Sequence, residues 1–85
     1  MLHYSYMSDQ LNNQSLQRIT LNPQQCGGRP CIRGMRIRVS DILDLLAAEL
    51  KPEEIIKELP DLELEDVRAA ILYAARKVNH AVLAA

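Results

Sequence analysis

The spacing of apolar and polar residues divides the chain into two short extended segments followed by three helices. Residues 19–21 alternate between apolar and polar and are stopped by Asn22-Pro23, which predicts a short strand. A second extended segment begins at Cys31 and reaches Val39, and Gly34 allows a bend within it. Because two strands of this length do not form a stable sheet alone, we expect them to pair with each other over the helices or with another chain.

The three helices are predicted from apolar residues at helical spacing and from prolines at their borders. Ser40 is a good N-cap for the first helix, whose apolar positions are Ile42, Leu45, Leu46 and Leu50. Pro52 suits the first position of a short second helix, which Pro60 ends. The third helix is predicted to begin near Glu63 and to run to about His80 or beyond.

The third helix has one apolar face and one polar face. At about 100° per residue, the apolar face holds Val67, Ala70, Ile71, Ala74, Val78 and Val82. The opposite face holds Arg68, Arg76, Asn79 and His80. Leu62 and Val67 have the spacing of a hydrophobic staple, and Asp66 places negative charge beside unpaired amides at the helix start. A short second helix and a longer, basic-faced third helix form the skeleton of a helix-turn-helix, which occurs both in DNA-binding domains and in others.

The composition predicts one small domain that associates with other chains. Its 85 residues include no Trp and no Phe, so the core consists mainly of Leu, Ile, Val and Ala and needs extra burial from a partner or a second copy. We therefore expect a homo-oligomer, either a dimer or a larger assembly. Residues 1–17 are predicted to form a flexible polar arm, and residues 18–85 to form the helical domain with its N-terminal strands.

The net charge of −1 conceals separate basic and acidic blocks. Residues 18–38 contain five arginines and no acid, residues 39–66 contain ten acids and two lysines, and residues 67–85 contain no acid. Either these blocks form two unlike surfaces, or they pair with each other within the chain or across a dimer. The net charge itself argues against non-specific coating of nucleic acid.

The sequence has no pattern typical of a catalytic, cofactor or metal site. Cys26 and Cys31 are the only cysteines, and His3 and His80 are far from them, so a four-ligand zinc site is not expected. We expect reduced thiols in the cytoplasm, with a disulfide across the turn forming only on oxidation. A small redox or metal protein is the alternative that rests on these cysteines alone. Without a membrane-length apolar run or a catalytic set, we expect no enzyme, no cofactor, no membrane partner and no small-molecule substrate.

A series of motifs carries a resemblance to a known family. Residues 27–39 read GGRPCIRGMRIRV, and they are followed by PEEI at 52–55, PDL at 60–62, EDV at 65–67 and YA at 73–74. In this order and spacing the motifs resemble the bacterial family catalogued as domain of unknown function four-three-three, over about residues 18–77. The resemblance implies a homeodomain-like helix-turn-helix fold. It also implies an antitoxin of a type II toxin–antitoxin module, which binds a PIN-like nuclease toxin and represses its own operon by binding operator DNA.

Four positions depart from the family pattern. Met35 stands where the family has Thr, and Arg38 replaces a proline. Glu49 stands where a helix-ending glycine is common, and Lys51 where a capping serine is common. We therefore expect the link between the first two helices to be less sharply defined. These changes leave the predicted fold unaltered but weaken the transfer of a particular toxin or operator.

The candidate site residues fall into three sets. Those predicted to contact DNA are Arg68, Arg76, Lys77 and Asn79 of the third helix, together with Arg38 of the strand segment. Those predicted to contact a partner protein are Arg29, Leu72 and Leu83, since exposed leucines suit a protein interface better than a DNA groove. Those predicted to hold the strand layer are Gly28, Pro30, Arg33, Gly34 and Arg36, the two arginines bonding backbone carbonyls or acids of the first helix.

The alternative to an operator-binding antitoxin is a dimeric interaction or adaptor protein that does not bind DNA. It draws on the net acidic charge and on the two leucines of the polar helix face, Leu72 and Leu83. On this interpretation, the cations of the third helix form an ordinary solvated face.

Overall fold

The described part of the chain is mainly helical, with a small sheet on one side. A computed structural model describes the backbone of residues 14–84 and the side chains of residues 14–79. The elements in chain order are β1 (Ile19–Thr20), a 3-10 turn (Cys26–Gly28), β2 (Cys31–Ile32), α1 (Val39–Ala47), α2 (Pro52–Glu58) and α3 (Leu64–Ala84). Residues 14–16 are also helical, although they belong to the predicted flexible arm. Residues 1–13 of that arm, and the side chains of His80, Val82 and Leu83, lie outside the described residues.

The two strands pair with each other, which was one of the two predicted alternatives. They run antiparallel, with Ile19 opposite Ile32 and Thr20 opposite Cys31. After Ile32 the chain folds back tightly, because the Ile32 N–H donates to the Ile37 carbonyl at 2.9 Å. A further isolated bridge joins Cys31 to Arg38. The chain therefore enters α1 directly after the residue that is bridged to β2, Arg38.

Each of the three helices α1, α2 and α3 has an acid in its first turn whose side chain accepts a hydrogen bond from the backbone N–H of the residue preceding the helix. The N–H groups of Arg38, Lys51 and Glu63 donate to the side chains of Asp41, Glu54 and Asp66 at 2.9, 2.8 and 2.7 Å. Each acid lies at the third helical position, where a carboxylate also interacts favourably with the helix dipole. The prediction of Ser40 as the first N-cap was wrong, because α1 begins at Val39 and Asp41 supplies the cap.

The link between α1 and α2 is sharply defined, contrary to the prediction. Glu49 takes a left-handed conformation with φ of 71°, although it is not a glycine. The N–H of Glu49 donates to the Leu46 carbonyl at 2.9 Å, and the N–H of Leu50 donates to the Leu45 carbonyl at 3.1 Å. These two bonds form a Schellman motif, which ends the helix and satisfies its last carbonyls. The chain geometry is kept, and the backbone of Glu49 carries the strain.

The core lies where α3 crosses α1, α2 and β1. Its buried apolar members come from β2, the three helices and the connection between α2 and α3: Ile32, Val39, Ile42, Ile55, Leu62, Val67 and Ala70. The predicted staple residues Leu62 and Val67 are both buried in it. The apolar face predicted for α3 is only partly covered, since Ile71 is 45% exposed and Val78 is 61% exposed. Val78 lies in the second half of α3, beyond Ala70, the last buried residue in the described part of this helix, and at 1.5 Å per residue α3 extends about 31 Å.

The two cysteines form a disulfide across the turn before β2. The bond closes a loop of six residues, from Cys26 to Cys31, that contains Gly27, Gly28, Arg29 and Pro30. The expectation of reduced thiols is therefore not met in this structure.

Candidate functional site

Asp66 is the one charged side chain that is buried among residues 14–79, and it is the centre of a polar cluster. Its Oδ1 accepts hydrogen bonds from Arg18 Nη1 at 2.9 Å and Arg33 Nε at 3.0 Å. Its Oδ2 accepts bonds from Arg33 Nη2 at 2.7 Å and from the Glu63 N–H at 2.7 Å. An ionised carboxylate has about four acceptor sites, and here four donors occupy them. No acceptor site of Asp66 is left for a substrate or a metal ion.

The two arginines reach Asp66 because the small sheet presents them together. The N–H of Arg33 donates to the Arg18 carbonyl at 2.7 Å, which continues the ladder between β1 and β2 by one bond. Arg33 itself has a positive φ of 45°, so the chain turns immediately after β2 and its side chain lies over the start of α3. There Arg33 Nη2 also donates to the backbone carbonyl of Asp61 at 3.0 Å. The outer side of the cluster is closed by Arg18, which donates to Glu63 at 2.7 Å.

The hydrogen bonds decide the ionisation of this cluster. Burial alone would raise the pKa of the Asp66 carboxyl, but the bonds from Arg33, the Glu63 N–H and Arg18 outweigh burial and hold that pKa below its ordinary value. The bond to Glu63, followed by the bond to Asp66, raises the pKa of Arg18. The bond to Asp66 likewise raises the pKa of Arg33. The cluster is therefore charged at neutral pH, and it ties the strand layer to the first turn of α3.

The two arginines predicted to hold the strand layer behave differently from each other. Arg33 donates to the backbone carbonyl of Asp61, which is one of the two kinds of partner predicted. The acid that it bonds is Asp66 of α3 and not an acid of the first helix. Arg36 is exposed and makes no hydrogen bond or ion pair within the described residues, so its predicted bonds are absent there. It lines a shallow depression of about 360 Å³ beside Asp41 and Asp44.

The other predicted structural positions belong to the turns on either side of β2. Gly28 has a φ of 78°, a left-handed backbone conformation that favours glycine. The Pro30 carbonyl accepts the Val39 N–H at 3.0 Å, which joins the disulfide loop to the start of α1. Gly34 has a φ of 72°, and its N–H donates to Thr20 Oγ1 at 3.0 Å. These bonds fix the loop that carries Arg29.

An open groove lies between the start of α1 and the second half of α3. Its volume is about 310 Å³. It is lined by Arg29, Pro30, Val39, Ser40, Leu43, Tyr73, Ala74, Lys77 and Val78, and its exposed lining is mostly apolar. The Lys77 ammonium lies 5.4 Å from the centre of the Tyr73 ring, within the range of a cation–π contact. The groove is the place where α3 continues beyond the core.

Four of the five residues predicted to contact DNA lie on the exposed part of α3. Arg68, Arg76, Lys77 and Asn79 are all exposed. Arg38, which was predicted to be available for an exposed contact, is partly buried and pairs with Asp41 at 3.2 Å. The arginine side chain is held against the first turn of α1.

Arg29 and Leu72, two of the residues predicted to contact a partner protein, do not line the same groove. Arg29 is exposed and lines the groove. Leu72 is half-buried, so the prediction that it is an exposed leucine was wrong. The side chain of Leu83 lies outside the described residues.

Sequence reasoning missed the role of Asp66 and the position of Tyr73. The spacing of Asp66 from the helix start identified it as a favourable N-terminal acid, but that signal does not say which cations reach it. Tyr73 was noticed only as part of a motif. Its place on the side of α3 that faces Pro30 and Leu43 follows from the packing of α1 against α3.

The described residues hold neither a candidate metal site nor a candidate membrane span. There, no three His, Cys, Asp or Glu side chains lie together in a way that could hold a metal ion. None of the helices in that range is both long and apolar enough to cross a membrane.

Comparison with known proteins gives a family but not an activity. The family model described as "Protein of unknown function (DUF433)" matches residues 19–74. The chain is also similar to a protein of Sinorhizobium fredii (strain NBRC 101917 / NGR234) named "Uncharacterized protein y4eO", with 36% identity over 56 residues. That match covers 66% of this chain and 25% of the relative, so the chain spans about a quarter of the length of the curated relative it matches. No solved structure matches the chain. Since the family model covers more than half of its residues, the chain belongs to the DUF433 family of proteins of unknown function.

Proposed function

We propose that this protein is the antitoxin of a type II toxin–antitoxin module in the cytoplasm. In this role it binds a PIN-like nuclease toxin through one surface and represses its own operon by binding operator DNA through another. The observation that carries the proposal is the arrangement of a short α2, a turn at Pro60 and a long α3 whose cations are exposed. The only buried charged side chain within residues 14–79 is fully engaged in structural bonds, so the free chemistry of this part lies on its surface.

The helix-turn-helix assignment rests on the geometry between Pro52 and Ala84. Residues 59–63 connect α2 to α3, and α1 and α2 both pack on α3. This arrangement supports the proposed homeodomain-like trihelical domain, in which the last helix reads the major groove. Dimeric helix-turn-helix proteins bind palindromic sites whose half-sites are about one helical turn apart. A dimer also agrees with a core that lacks Trp and Phe.

The charges of α3 favour contact through its later turns. The exposed acids Asp61, Glu63 and Glu65 surround the start of the helix and repel DNA phosphates. Beyond Asp66 the described helix has no acid, and its cations are Arg68, Arg76 and Lys77. Contacts from Arg68 and Arg76 to phosphates position a protein on the duplex without reading its sequence, while Lys77 lies at the edge of the groove. Asn79 is the exposed residue of this region best suited to a base edge.

A gel-shift titration on the protein's own promoter tests DNA binding. We expect specific binding that weakens steeply as the salt concentration rises, because cations on the protein displace counterions from the DNA. The double substitution Arg68→Ala with Arg76→Ala should weaken binding and reduce the salt dependence. Lys57→Ala is the matched control, since Lys57 is an exposed cation on α2. Equal weakening by the control would reject contact through α3, and no binding by the unmodified chain would reject DNA binding.

Toxin binding is tested with the product of the neighbouring open reading frame. We expect the two proteins to co-purify, and Arg29→Glu to weaken the complex, because a nuclease site rich in carboxylates attracts an exposed arginine. If no neighbouring product co-purifies with the unmodified chain, the antitoxin role is rejected.

A dimeric adaptor that does not bind DNA is the second candidate. The acids near the turn between α2 and α3 favour it, because Glu58, Asp61, Glu63 and Glu65 are all exposed there. The exposed apolar residues Ile71 and Val78 favour it as well, since they suit a protein interface. A protein that forms dimers and co-purifies with a partner, but fails the promoter gel shift, would have this second function.

A further inference from the structure

The groove between α1 and α3 combines an apolar floor with cations at its edge. The floor comes from Pro30, Leu43, Tyr73 and Val78, and Val78 is 61% exposed. The cations at the edge are Arg29 and Lys77. Neither of them forms an ion pair with a carboxylate of the described residues, and no carboxylate lines the groove. The apolar side chains of the floor are therefore uncovered, and the cations at the edge have no carboxylate partner in the described residues.

The shape of the groove favours an elongated occupant. Its volume of about 310 Å³ is at the lower end of the range for small-molecule pockets, and it is open along one side. The apolar residues Ile71, Ala74 and Val78 continue along α3 for two helical turns, about 10 Å. The small side chain of Ala74 allows another backbone to approach closely. This is the surface expected for an amphipathic helix that lies in a groove and inserts side chains at intervals of three or four residues.

The charges select the kind of helix. A second copy of α3 would bring further cations against Arg29 and Lys77, because the described part of α3 has no acid after Asp66. Like charges in contact destabilise an interface, whereas complementary charges align it. The occupant that satisfies both the floor and the edge has an apolar stripe flanked by carboxylates.

We propose that this groove binds an acidic amphipathic helix of a partner protein, whose apolar side chains enter between α1 and α3 and whose carboxylates pair with Arg29 and Lys77. The inference rests on the partner-binding half of the proposed function and assigns that half to one surface. It requires neither the DNA-binding half nor a rearrangement of the core.

A labelled peptide tests the proposal with the full chain. The probe is a helical peptide of about 15 residues with leucines at helical spacing and glutamates on both flanks, and its partner peptide has lysines in place of the glutamates. Fluorescence anisotropy should show that the acidic peptide binds at least about tenfold more tightly than the basic one. Arg29→Glu combined with Lys77→Glu should reverse this preference, whereas Arg36→Glu, an exposed charge outside the groove, should not.

A second pair of variants tests the apolar floor. Val78→Asp should abolish binding, while Leu21→Asp should leave it unchanged, because Leu21 is 63% exposed and lies outside the groove. Circular dichroism melting shows that each variant is folded. Equal affinity for both peptides, no binding of either, or binding unaffected by Val78→Asp would overturn the proposal. Sedimentation that shows self-association dependent on Val78 and competing with the peptide would also overturn it, in favour of a second copy.

The same variants separate this inference from the proposed function. If Val78→Asp and the charge-reversed variant still co-purify with the neighbouring gene product, the groove is not the partner site, and the antitoxin role survives. If the unmodified chain captures no such product but binds the acidic peptide as expected, the antitoxin role fails and the groove assignment stands.

Discussion

Arg33 holds both carboxylate oxygens of Asp66 in a planar fork, with Nε 3.0 Å from Oδ1 and Nη2 2.7 Å from Oδ2. The two residues are 33 positions apart, and their bond joins the turn after β2 to the first turn of α3. Glu63 and Arg18 supply the remaining donors, so the buried carboxylate is completely bonded. Removing either the buried carboxylate or one of its arginine partners should therefore destabilise the folded protein, because a charge in the interior is left without its partner.

Replacing the buried carboxylate should destabilise the fold more than any nearby surface change. Asp66→Asn keeps the shape but turns an NH2 group toward arginine donors and removes the charge that they surround. We expect the free energy of unfolding to fall by about 3 kcal/mol, as measured by urea denaturation. Asp61→Asn is the control, since the exposed Asp61 side chain makes no bond within the described residues. Similar losses in both variants would contradict a special role for Asp66.

The stability of the protein should fall in acid because of the same group. Bonding holds the pKa of Asp66 below its ordinary value, so this carboxyl binds protons more weakly when the chain is folded than when it is unfolded. Its contribution is therefore fully present above about pH 4, the ordinary range for Asp, and is lost as the pH falls through the folded-state pKa. The urea midpoints of the wild type and of Asp66→Asn should stay apart down to about pH 4 and converge as the pH falls further. A constant gap down to the lowest measurable pH would show that Asp66 does not titrate in this way.

The geometry of the fork can be separated from its charge with a conservative substitution. Arg33→Lys keeps a cation but cannot reach both oxygens of Asp66 and the Asp61 carbonyl at once. We expect a lower thermal midpoint, with a smaller loss than that of Asp66→Asn. Arg36→Lys should change the midpoint little, because Arg36 is exposed and has no bonded partner in the described part of the chain. If Arg33→Lys matched the wild type, only the positive charge would matter at this position.

The order of the helices could be predicted because residues close together in the sequence mark where each helix begins and ends. Pro52 and Pro60 bracket α2, and the acids at the third position of each helix mark its start. Even so, the cap of α1 was wrongly assigned to Ser40. The side chain of Arg38, the residue before the helix, cannot accept a hydrogen bond, and the cap is instead the Asp41 carboxylate, which accepts the Arg38 N–H. Local patterns thus located the starts of the helices to within two residues, whereas α1 ends at Ala47, before the predicted Leu50.

The candidate sites could not be predicted to the same extent, because they depend on distances between segments far apart in the chain. Nothing in the sequence around Arg33 distinguishes Asp66 from the acids of α1 as its partner. The groove arises because α3 is longer than the layer beneath it, and helical periodicity places Val67 and Val78 on one face without saying that only Val67 is covered. The link at Glu49 was predicted to be loosely defined because glutamate does not favour the left-handed conformation of a helix end. The hydrogen bonds of Glu49 and Leu50 to α1 nevertheless hold this turn in place.

Relieving that strained turn should make the protein more stable. Glu49 has a φ of 71°, a conformation that costs an L-residue with a Cβ about 1 kcal/mol or more and that glycine adopts freely. Glu49→Gly should therefore raise the free energy of unfolding by about 1 kcal/mol, and the thermal midpoint by several degrees. Glu49→Ala separates the backbone effect from the loss of charge, because alanine removes the carboxylate but keeps the Cβ. We expect little or no gain from alanine. An equal gain from alanine and glycine would mean that the carboxylate, next to the acids of α2, was the source of the instability. A loss from glycine would mean that the bonds from Glu49 and Leu50 to α1 do not hold the turn without the side chain.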